Sequence, residues 1–244
     1  MEYLLFGKKS IIDINEWKDI FVNNQNKKKH WKEGRSAYEL ANFMLNKNGE
    51  KIIKQFLEKI LKEKIVFSKG YIEYEVKFDK YNHGREHDLG IWGKTNTGKT
   101  IFVGIESKVD EPFNETIKDA YIKGKIKEFN GEKTNAPKRI ENLLKRMFRI
   151  ITEKNFEIRY QLAYSTVGTI MAMEDKKVAD ISIFLIIIFK STCYDNDEGM
   201  KNYNDFQFFI RELKAQKILK NKNQEMYKAI IDDTDLYIGH IIIE

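Results

Sequence analysis

Cysteine, proline and long apolar runs are scarce or absent in this sequence. The single cysteine, Cys193, excludes an internal disulfide and a zinc site built from several cysteines. With two prolines, no Gly/Ser linker and no repeat, the chain is expected to form one domain over residues 1–244. No apolar run reaches the roughly 18 residues that cross a membrane, and no signal peptide is evident, which predicts a cytoplasmic protein.

Hydrophobic, aromatic and basic residues are abundant. A hydrophobic fraction of 42% and an aromatic fraction of 13% are typical of a folded domain with a sizeable core. The formal net charge of +6 suits a polyanionic partner, because lysines that neutralise phosphates release counterions. A solvated surface in a chain rich in Lys, Asn and Ile explains the same charge, so the charge alone leaves a nucleic-acid partner open.

Hydrophobic periodicity predicts helices and strands that follow one another along the whole chain. Ser36 and Glu39 have the spacing of a capping box, which predicts a helix that starts at Ser36. The order of elements predicts an α/β fold in which helices flank a mixed sheet. The predicted strands are 3–6, 71–78, 88–92, 100–106, 158–165, 181–189 and 236–243, and the predicted helices are 14–23, 36–47, 50–62, 114–129, 138–152, 167–177 and 202–213.

Residues 93–100 match the P-loop pattern G-x-x-x-x-G-K-[ST] letter for letter. A P-loop needs a helix directly after it, since the helix N-terminus helps to bind the phosphates. Residues 101–105 are instead β-branched and aromatic, which favours a strand, and the segment suits the tip of a hairpin. We therefore favour an exposed turn and keep a nucleotide-binding protein as the weaker alternative.

Two acidic residues and a lysine lie at the ends of this predicted hairpin. Asp88 opens its first strand, Glu106 closes the second, and Lys108 shares the face of Glu106 by alternation. Antiparallel pairing brings Asp88 and Glu106 together at the open end, where two carboxylates suit Mg²⁺. An adjacent ammonium can orient a water molecule for phosphodiester hydrolysis. The alternative is a surface ion pair between Glu106 and Lys108, which contributes little.

Asp88, followed by Glu106-Ser107-Lys108 at the end of an apolar strand, resembles the PD-(D/E)xK nuclease superfamily, with His87 in place of the proline. Residues 104–113, with 31–40 and 159–162, are similar to an uncharacterised bacterial branch of it. The resemblance implies a restriction-endonuclease-like mixed sheet with helices on both faces. It also implies that Asp88 and Glu106 bind Mg²⁺, that the Ser107 carbonyl contributes, and that Lys108 serves the attacking water.

The implied activity is that of a DNA endonuclease of restriction or defence type. Double-stranded DNA is the expected substrate, and cutting both strands would favour a homodimer. The alternative is a non-catalytic nucleic-acid-binding module on the same scaffold.

Three further residues are candidates for the site. Glu39 lies on a helix of the kind that lends a Glu to the metal site in many relatives, although the capping box explains it equally well. Gln161 resembles the Gln of the QxxxY motif in exonuclease-like branches, although Tyr164 comes one position too early. Glu111 is a candidate ligand for a second metal ion or the start of the next helix.

Candidate nucleic-acid contacts are Arg85 and His87 on a loop over residues 82–87, and Lys138 and Arg139 on a helix. A solvated face is the alternative for the helical pair. His83 and His87 also have the spacing of a zinc pair, which we disfavour because no third strong ligand is evident.

Overall fold

The structure is a computed structural model that describes residues 3–77, 79–81 and 84–244. The predicted strand end at Phe78 and the loop residues Asn82 and His83 lie outside the described residues. The helices of the described chain are α1 Ile14–Val22, α2 Ser36–Asn46, α3 Gly49–Leu61, α4 Ile117–Phe129, α5 Ala136–Met147, α6 Glu153–Phe156, α7 Tyr160–Met171 and α8 Asn196–Glu212. Its strands are β1 Tyr3–Phe6, β2 Lys9–Ser10, β3 Ile65–Val76, β4 Arg85–Thr95, β5 Thr100–Lys108, β6 Met173–Glu174, β7 Lys177–Val178, β8 Ile181–Phe189, β9 Gln216–Lys220, β10 Gln224–Ile231 and β11 Thr234–Ile243.

Nine of these strands form one mixed sheet, in the order β2-β1-β3-β4-β5-β8-β11-β10-β9. Strands β3, β4 and β5 are antiparallel neighbours, whereas β5, β8 and β11 run parallel. The carboxyl ends of these three parallel strands therefore meet at one edge of the sheet, where α/β proteins commonly bind ligands. The mixed sheet with flanking helices confirms the predicted α/β fold class.

Strand β8 shows why helices cover both faces of the sheet. Its odd-numbered residues from Ile183 to Ile187 pack into a core beneath α1, α2 and α3. Its even-numbered residues from Phe184 to Ile188 pack into a second core beneath α4, α5, α7 and α8. A strand that is buried on both faces has a continuous run of apolar residues in its sequence. This run is the pattern from which β8 was predicted.

Several predicted elements differ from the observed ones. The strand predicted over 158–165 is wrong, because helix α7 begins at Tyr160 and is buried along nearly its whole length. Because α7 is buried on every side, its sequence lacks the alternation of apolar and polar faces that distinguishes a surface helix from a strand. The helix predicted over 167–177 ends at Met171 and gives way to the β6–β7 hairpin. Strands β9 and β10 were not predicted.

The P-loop-like segment forms the turn between β4 and β5. The Thr95 N–H donates to the Lys99 carbonyl at 2.9 Å, and the Gly98 N–H donates to the Thr95 carbonyl at 3.0 Å. Strand β5 follows directly at Thr100, so the segment lacks the helix that a P-loop requires. The predicted exposed turn is confirmed.

None of the helices that the structure describes is both long and apolar enough to traverse a bilayer.

Candidate metal centre

The β4–β5 hairpin brings Asp88 and Glu106 to adjacent backbone positions. Leu89 pairs with Ile105 in the antiparallel register, so the next position outward sets Asp88 opposite Glu106. On its other side β5 pairs with β8, with Lys108 opposite Ile188. The open end of the hairpin thus lies at the sheet edge where the parallel strands end.

The Asp88 carboxylate lies between the two strands at the point where their ladder stops. Its Oδ2 accepts hydrogen bonds from both the backbone N–H and the hydroxyl of Ser107, each at 2.7 Å. The Ser107 hydroxyl also lies 3.4 Å from the Ser36 carbonyl of α2. Asp88 therefore takes the place of a backbone acceptor at the end of the ladder, on the side of the sheet that α1 and α2 cover.

Glu106 points toward helix α7 and is fully buried, at 0% exposure. Gln161 Nε2 donates to Glu106 Oε2 at 2.6 Å, and the Ser165 hydroxyl donates to Glu106 Oε1 at 2.8 Å. Gln161 and Ser165 are one helical turn apart, so one face of α7 holds this carboxylate. His87 completes the enclosure, with its Nδ1 3.6 Å from Glu106 Oε1.

Two buried polar atoms beside Glu106 have no hydrogen-bond partner in the part of the chain that the structure describes. They are Gln161 Oε1 and His87 Nδ1. Buried polar atoms normally have a hydrogen-bond partner. These two atoms beside the Glu106 carboxylate therefore remain able to accept or donate a further hydrogen bond.

Glu73 is an acidic residue of this site that sequence reasoning missed. It lies in β3 with φ 53°, a left-handed conformation that is uncommon for residues other than glycine. The alternation of β3 changes faces around it, since Ile72 packs in the core under α1–α3 and Val76 packs in a cluster on the opposite side. Periodicity in the sequence gives no sign of this irregularity.

Lys27 neutralises part of this acidic group. Its Nζ lies 2.5 Å from Glu73 Oε2 and 2.7 Å from Glu86 Oε2. Burial, followed by the charge of Asp88, raises the pKa of Glu73 to about 7, despite the opposing effect of Lys27. The partners of Lys27 are 46 and 59 residues away in the sequence, so local patterns do not predict this role.

Asp88 is likewise held near other negative charges. Burial, followed by the charge of Glu106, raises the pKa of Asp88 to about 6, although Lys108 and the hydrogen bonds from Ser107 act in the opposite direction. The Asp88 carboxylate is therefore close enough to repel Glu73, and Glu106 is close enough to repel Asp88. This concentration of negative charge is an environment that favours a cation.

A cavity of about 270 Å³ beneath α1 and α2 opens onto Glu73 and Asp88, whereas Glu106 points toward α7 and does not line it. Lys108 lines the cavity, and its Nζ lies 5.7 Å from the centre of the Phe113 ring. Burial and the charges of Lys29, Lys108 and Lys27 lower the pKa of His30, another lining residue. The charged and titratable lining residues are Lys27, His30, Glu73, Glu86, Asp88 and Lys108.

Glu111 holds the start of helix α2. Its Oε1 accepts from the Ser36 N–H at 3.3 Å, and its Oε2 accepts from the Val109 N–H at 2.7 Å. Burial acts to raise the pKa of Glu111, but these N–H groups and Lys108 outweigh it, and the pKa is lowered. Both carboxylate oxygens thus have structural partners, in contrast to the predicted role as a ligand of a second metal ion.

The predicted capping box is wrong. The N-cap of α2 is Arg35, whose side chain makes no capping hydrogen bond, and Ser36 is the first helical residue. Glu39 is absent from the cavity lining, and its Oε2 lies 3.9 Å from the Nζ of Lys47, the C-cap residue of α2. The structure therefore does not bring Glu39 to the Asp88–Glu106 pair.

The predicted nucleic-acid contacts have different surroundings. His87 is 2% exposed in β4, so it lies in the interior instead of on a loop that faces DNA, and this expectation is corrected. Arg85 packs its guanidinium over the rings of Tyr160 and Tyr164, at 5.3 and 4.9 Å from their centres.

The two candidate contacts on helix α5, Lys138 and Arg139, also differ in their exposure to solvent. Lys138 is exposed on α5, as a nucleic-acid contact would require. Arg139 is largely buried, and its Nε lies 2.7 Å from Asp79 Oδ2.

Within the described ranges, no group of three or more His, Cys, Asp or Glu residues has an arrangement that could hold a metal ion. A metal ion at Asp88 and Glu106 would therefore need other oxygen ligands, such as carbonyl groups or water.

Comparison with known proteins gives one match. No curated protein and no solved structure matches the chain. Residues 10–244 match a family described as "Domain of unknown function (DUF6946)". This match spans nearly the entire sequence, and the chain belongs to that family.

Proposed function

We propose that this chain is a Mg²⁺-dependent nuclease that hydrolyses phosphodiester bonds of DNA. The observation that carries the proposal is the adjacent backbone positions of Asp88 and Glu106 at the open end of the β4–β5 hairpin, with Asp88 and Lys108 both lining the cavity there. Acidic and basic groups at the end of a sheet, beside an open cavity, provide the parts needed for metal-assisted hydrolysis.

The available ligand atoms suit Mg²⁺. The carboxylates of Asp88 and Glu106 are hard oxygen ligands, and Gln161 Oε1 is a further buried oxygen without a partner among the described residues. The N–H and C=O of one strand residue point to the same edge, so the Ser107 carbonyl faces the side where Asp88 lies. Mg²⁺ usually keeps several waters, so it does not require three protein carboxylates.

Each residue of the centre has a distinct role in this proposal. The metal ion would neutralise phosphate charge and lower the pKa of a bound water. Asp88 is held by Ser107, and Glu106 is held by Gln161 and Ser165, so the orientation of both carboxylates is fixed before substrate binds. The Lys108 ammonium orients the attacking water and stabilises the negative charge that develops on the phosphate.

The substrate and biological role follow from the resemblance and from the charge of the chain. A net charge of +6 favours binding to a polyanion, and exposed Lys138 remains a candidate backbone contact. We propose DNA as the substrate and a restriction or defence role for the enzyme.

One observation favours the alternative, a nucleic-acid-binding module without turnover. Glu106 is fully buried, and donors from α7 already engage both of its oxygens. Calorimetric titration with Mg²⁺ separates the two functions, because a non-catalytic scaffold has no need to bind the metal through Asp88 and Glu106.

The decisive experiment incubates plasmid, linear and single-stranded DNA with the protein, with Mg²⁺ or with a chelator. Wild type is expected to cleave only with Mg²⁺, and Lys108→Ala to lower the rate at least about a hundredfold, since it removes charge stabilisation in the transition state. Gel electrophoresis of the products measures the rate, and circular dichroism checks the fold.

Lys99→Ala is the matched control, because it removes a lysine from the opposite end of the same hairpin. Lys99 pairs with Glu63 at 3.1 Å, on the exposed surface. Full cleavage by Lys108→Ala would refute the nuclease proposal. Cleavage that requires ATP and is lost in Lys99→Ala would instead support the nucleotide-binding alternative.

A further inference from the structure

A second and larger cavity, of about 550 Å³, adjoins the candidate metal centre. Val109 and Ile188 both line it. Val109 follows Lys108 in the chain, and Ile188 is the pairing partner of Lys108 in the sheet. The cavity thus lies at the carboxyl ends of the parallel strands, directly next to the proposed catalytic lysine.

A satisfied polar network forms one wall of this cavity. Glu225 is 5% exposed and accepts hydrogen bonds from the hydroxyls of Tyr203 and Tyr227, each at 2.7 Å. Gln207 Nε2 donates to it at 2.9 Å, and Lys220 Nζ lies 3.1 Å away. A buried carboxylate with four donors is fixed in position, so the wall is rigid before any ligand binds.

His240 is a lining residue whose imidazole borders this cavity. It is 4% exposed, and its ring lies against Phe206 and Tyr203, with centres 5.0 and 5.7 Å apart. Burial lowers the pKa of His240 to about 4, so the ring is neutral near pH 7 and offers one donor and one acceptor.

The remaining lining identifies the chemistry of the ligand. Lys190 and Lys222 add positive charge at the exposed rim, and Asn221 and Asn223 add amide groups. Tyr194 contributes an aromatic ring at the same opening. Lys222 Nζ lies 3.7 Å from Glu244 Oε1, so among the described residues Lys190 supplies the uncompensated positive charge at this rim. A concave site with an apolar floor, amides, aromatic rings and such a lysine suits a ligand that has a flat polar base and an anionic phosphate.

We propose that this cavity holds one unpaired nucleotide of the strand that is cleaved beside Lys108, with its base read by His240. The inference rests on the proposed nuclease function and narrows its substrate. A base in this cavity is not stacked in a duplex, so the substrate is single-stranded or is opened locally at the cleavage site.

The test measures binding of nucleoside monophosphates by calorimetry in the presence of a chelator, so that no metal ion contributes. The variant His240→Phe keeps a ring against Phe206 but removes both ring nitrogens, and we expect it to weaken binding about tenfold. Met200→Trp fills the opening from an exposed position that lines the cavity, and we expect it to abolish binding without disturbing the core. Lys177→Ala, on the distant β7, is the control and should bind as wild type does.

A second arm separates a strand nucleotide from a free nucleotide effector. A monophosphate should inhibit cleavage of a single-stranded oligonucleotide competitively, and Met200→Trp should raise the KM for that oligonucleotide. Non-competitive inhibition would overturn the assignment to the cleaved strand. Equal affinity in wild type, His240→Phe and Met200→Trp, or equal affinity for inorganic phosphate, would overturn the base pocket itself.

The two proposals fail in distinguishable ways. Binding without metal does not involve Asp88 or Glu106, so monophosphate binding without any cleavage activity would refute the nuclease and leave a nucleotide site. Metal-dependent cleavage without monophosphate binding would refute only the pocket.

Discussion

At the scale of single residues, the acidic side chains around the β4–β5 hairpin differ in how their charge is compensated. Glu106 is buried but accepts hydrogen bonds from Gln161 and Ser165. Burial and the charge of Asp88 raise the pKa of Glu73, and burial and the charge of Glu106 raise the pKa of Asp88. Neighbours that come from distant parts of the chain decide this difference, so the sequence around each residue does not predict it.

His240 gives a prediction for the pH dependence of stability. Burial lowers its pKa to about 4 in the folded chain, against about 6.5 when unfolded. Between these values the unfolded chain binds more protons, so this residue lowers stability as pH falls below about 6.5. We expect His240→Phe to be less acid-sensitive than wild type, by roughly 2 kcal/mol at about pH 5 relative to pH 7.

Urea unfolding of wild type and His240→Phe at several pH values measures this difference. Parallel pH profiles for the two proteins would show that His240 is protonated as readily in the folded chain as in the unfolded one.

At the scale of elements, helix α7 is where sequence reasoning erred most. Residues 158–165 were predicted as a strand, yet the helix that begins at Tyr160 carries both Gln161 and Ser165. The prediction that Gln161 belongs to the site depended on its resemblance to a motif, whereas Ser165 had no such signal. Helical spacing alone explains why Ser165 lies beside Gln161 at Glu106.

A pair of substitutions on α7 tests how Glu106 is held. Ser165→Ala removes a donor to a buried carboxylate and should lower the free energy of unfolding by about 1–3 kcal/mol. Thr166→Val is the matched control, because the buried Thr166 hydroxyl has no partner among the described residues. It should be neutral or slightly stabilising.

Chemical denaturation compares the two α7 variants. An equal loss in both, or no loss in Ser165→Ala, would mean that the hydrogen bond to Glu106 contributes little to the stability of the fold.

At the scale of the whole molecule, the mixed sheet joins the two functional regions. The antiparallel β3–β4–β5 part supplies Glu73, Asp88 and Glu106, and the parallel β5–β8–β11 part supplies His240 and the floor of the larger cavity. Strand β5 belongs to both parts, and Lys108 lies at its end. A polynucleotide that follows this edge of the sheet would reach both regions.

Metal binding is expected to stabilise the entire fold by mass action. A metal ion at 100 times its Kd adds about 2.7 kcal/mol to the free energy of unfolding. We expect Mg²⁺ or Mn²⁺ to raise the Tm of wild type, because a bound cation reduces the repulsion between neighbouring carboxylates. The variant Asp88→Asn should not show this increase in Tm. Differential scanning calorimetry measures the shift.

Lys108→Ala is the control for the metal effect, since it should keep the increase in Tm while losing cleavage. An unchanged Tm in wild type, or an equal increase in Asp88→Asn, would contradict a metal site at Asp88.

Local sequence patterns were sufficient to predict the α/β class, the buried strand β8, the β4–β5 hairpin and the opposed backbone positions of Asp88 and Glu106. These features depend on local periodicity and on pairing across a short turn, which neighbouring residues encode. That Glu106 faces α7, that Glu73 and Lys27 lie beside Asp88, and that His240 borders a second cavity became evident from the three-dimensional structure. Such contacts join residues far apart in the chain, and they depend on how layers pack, which local patterns do not specify.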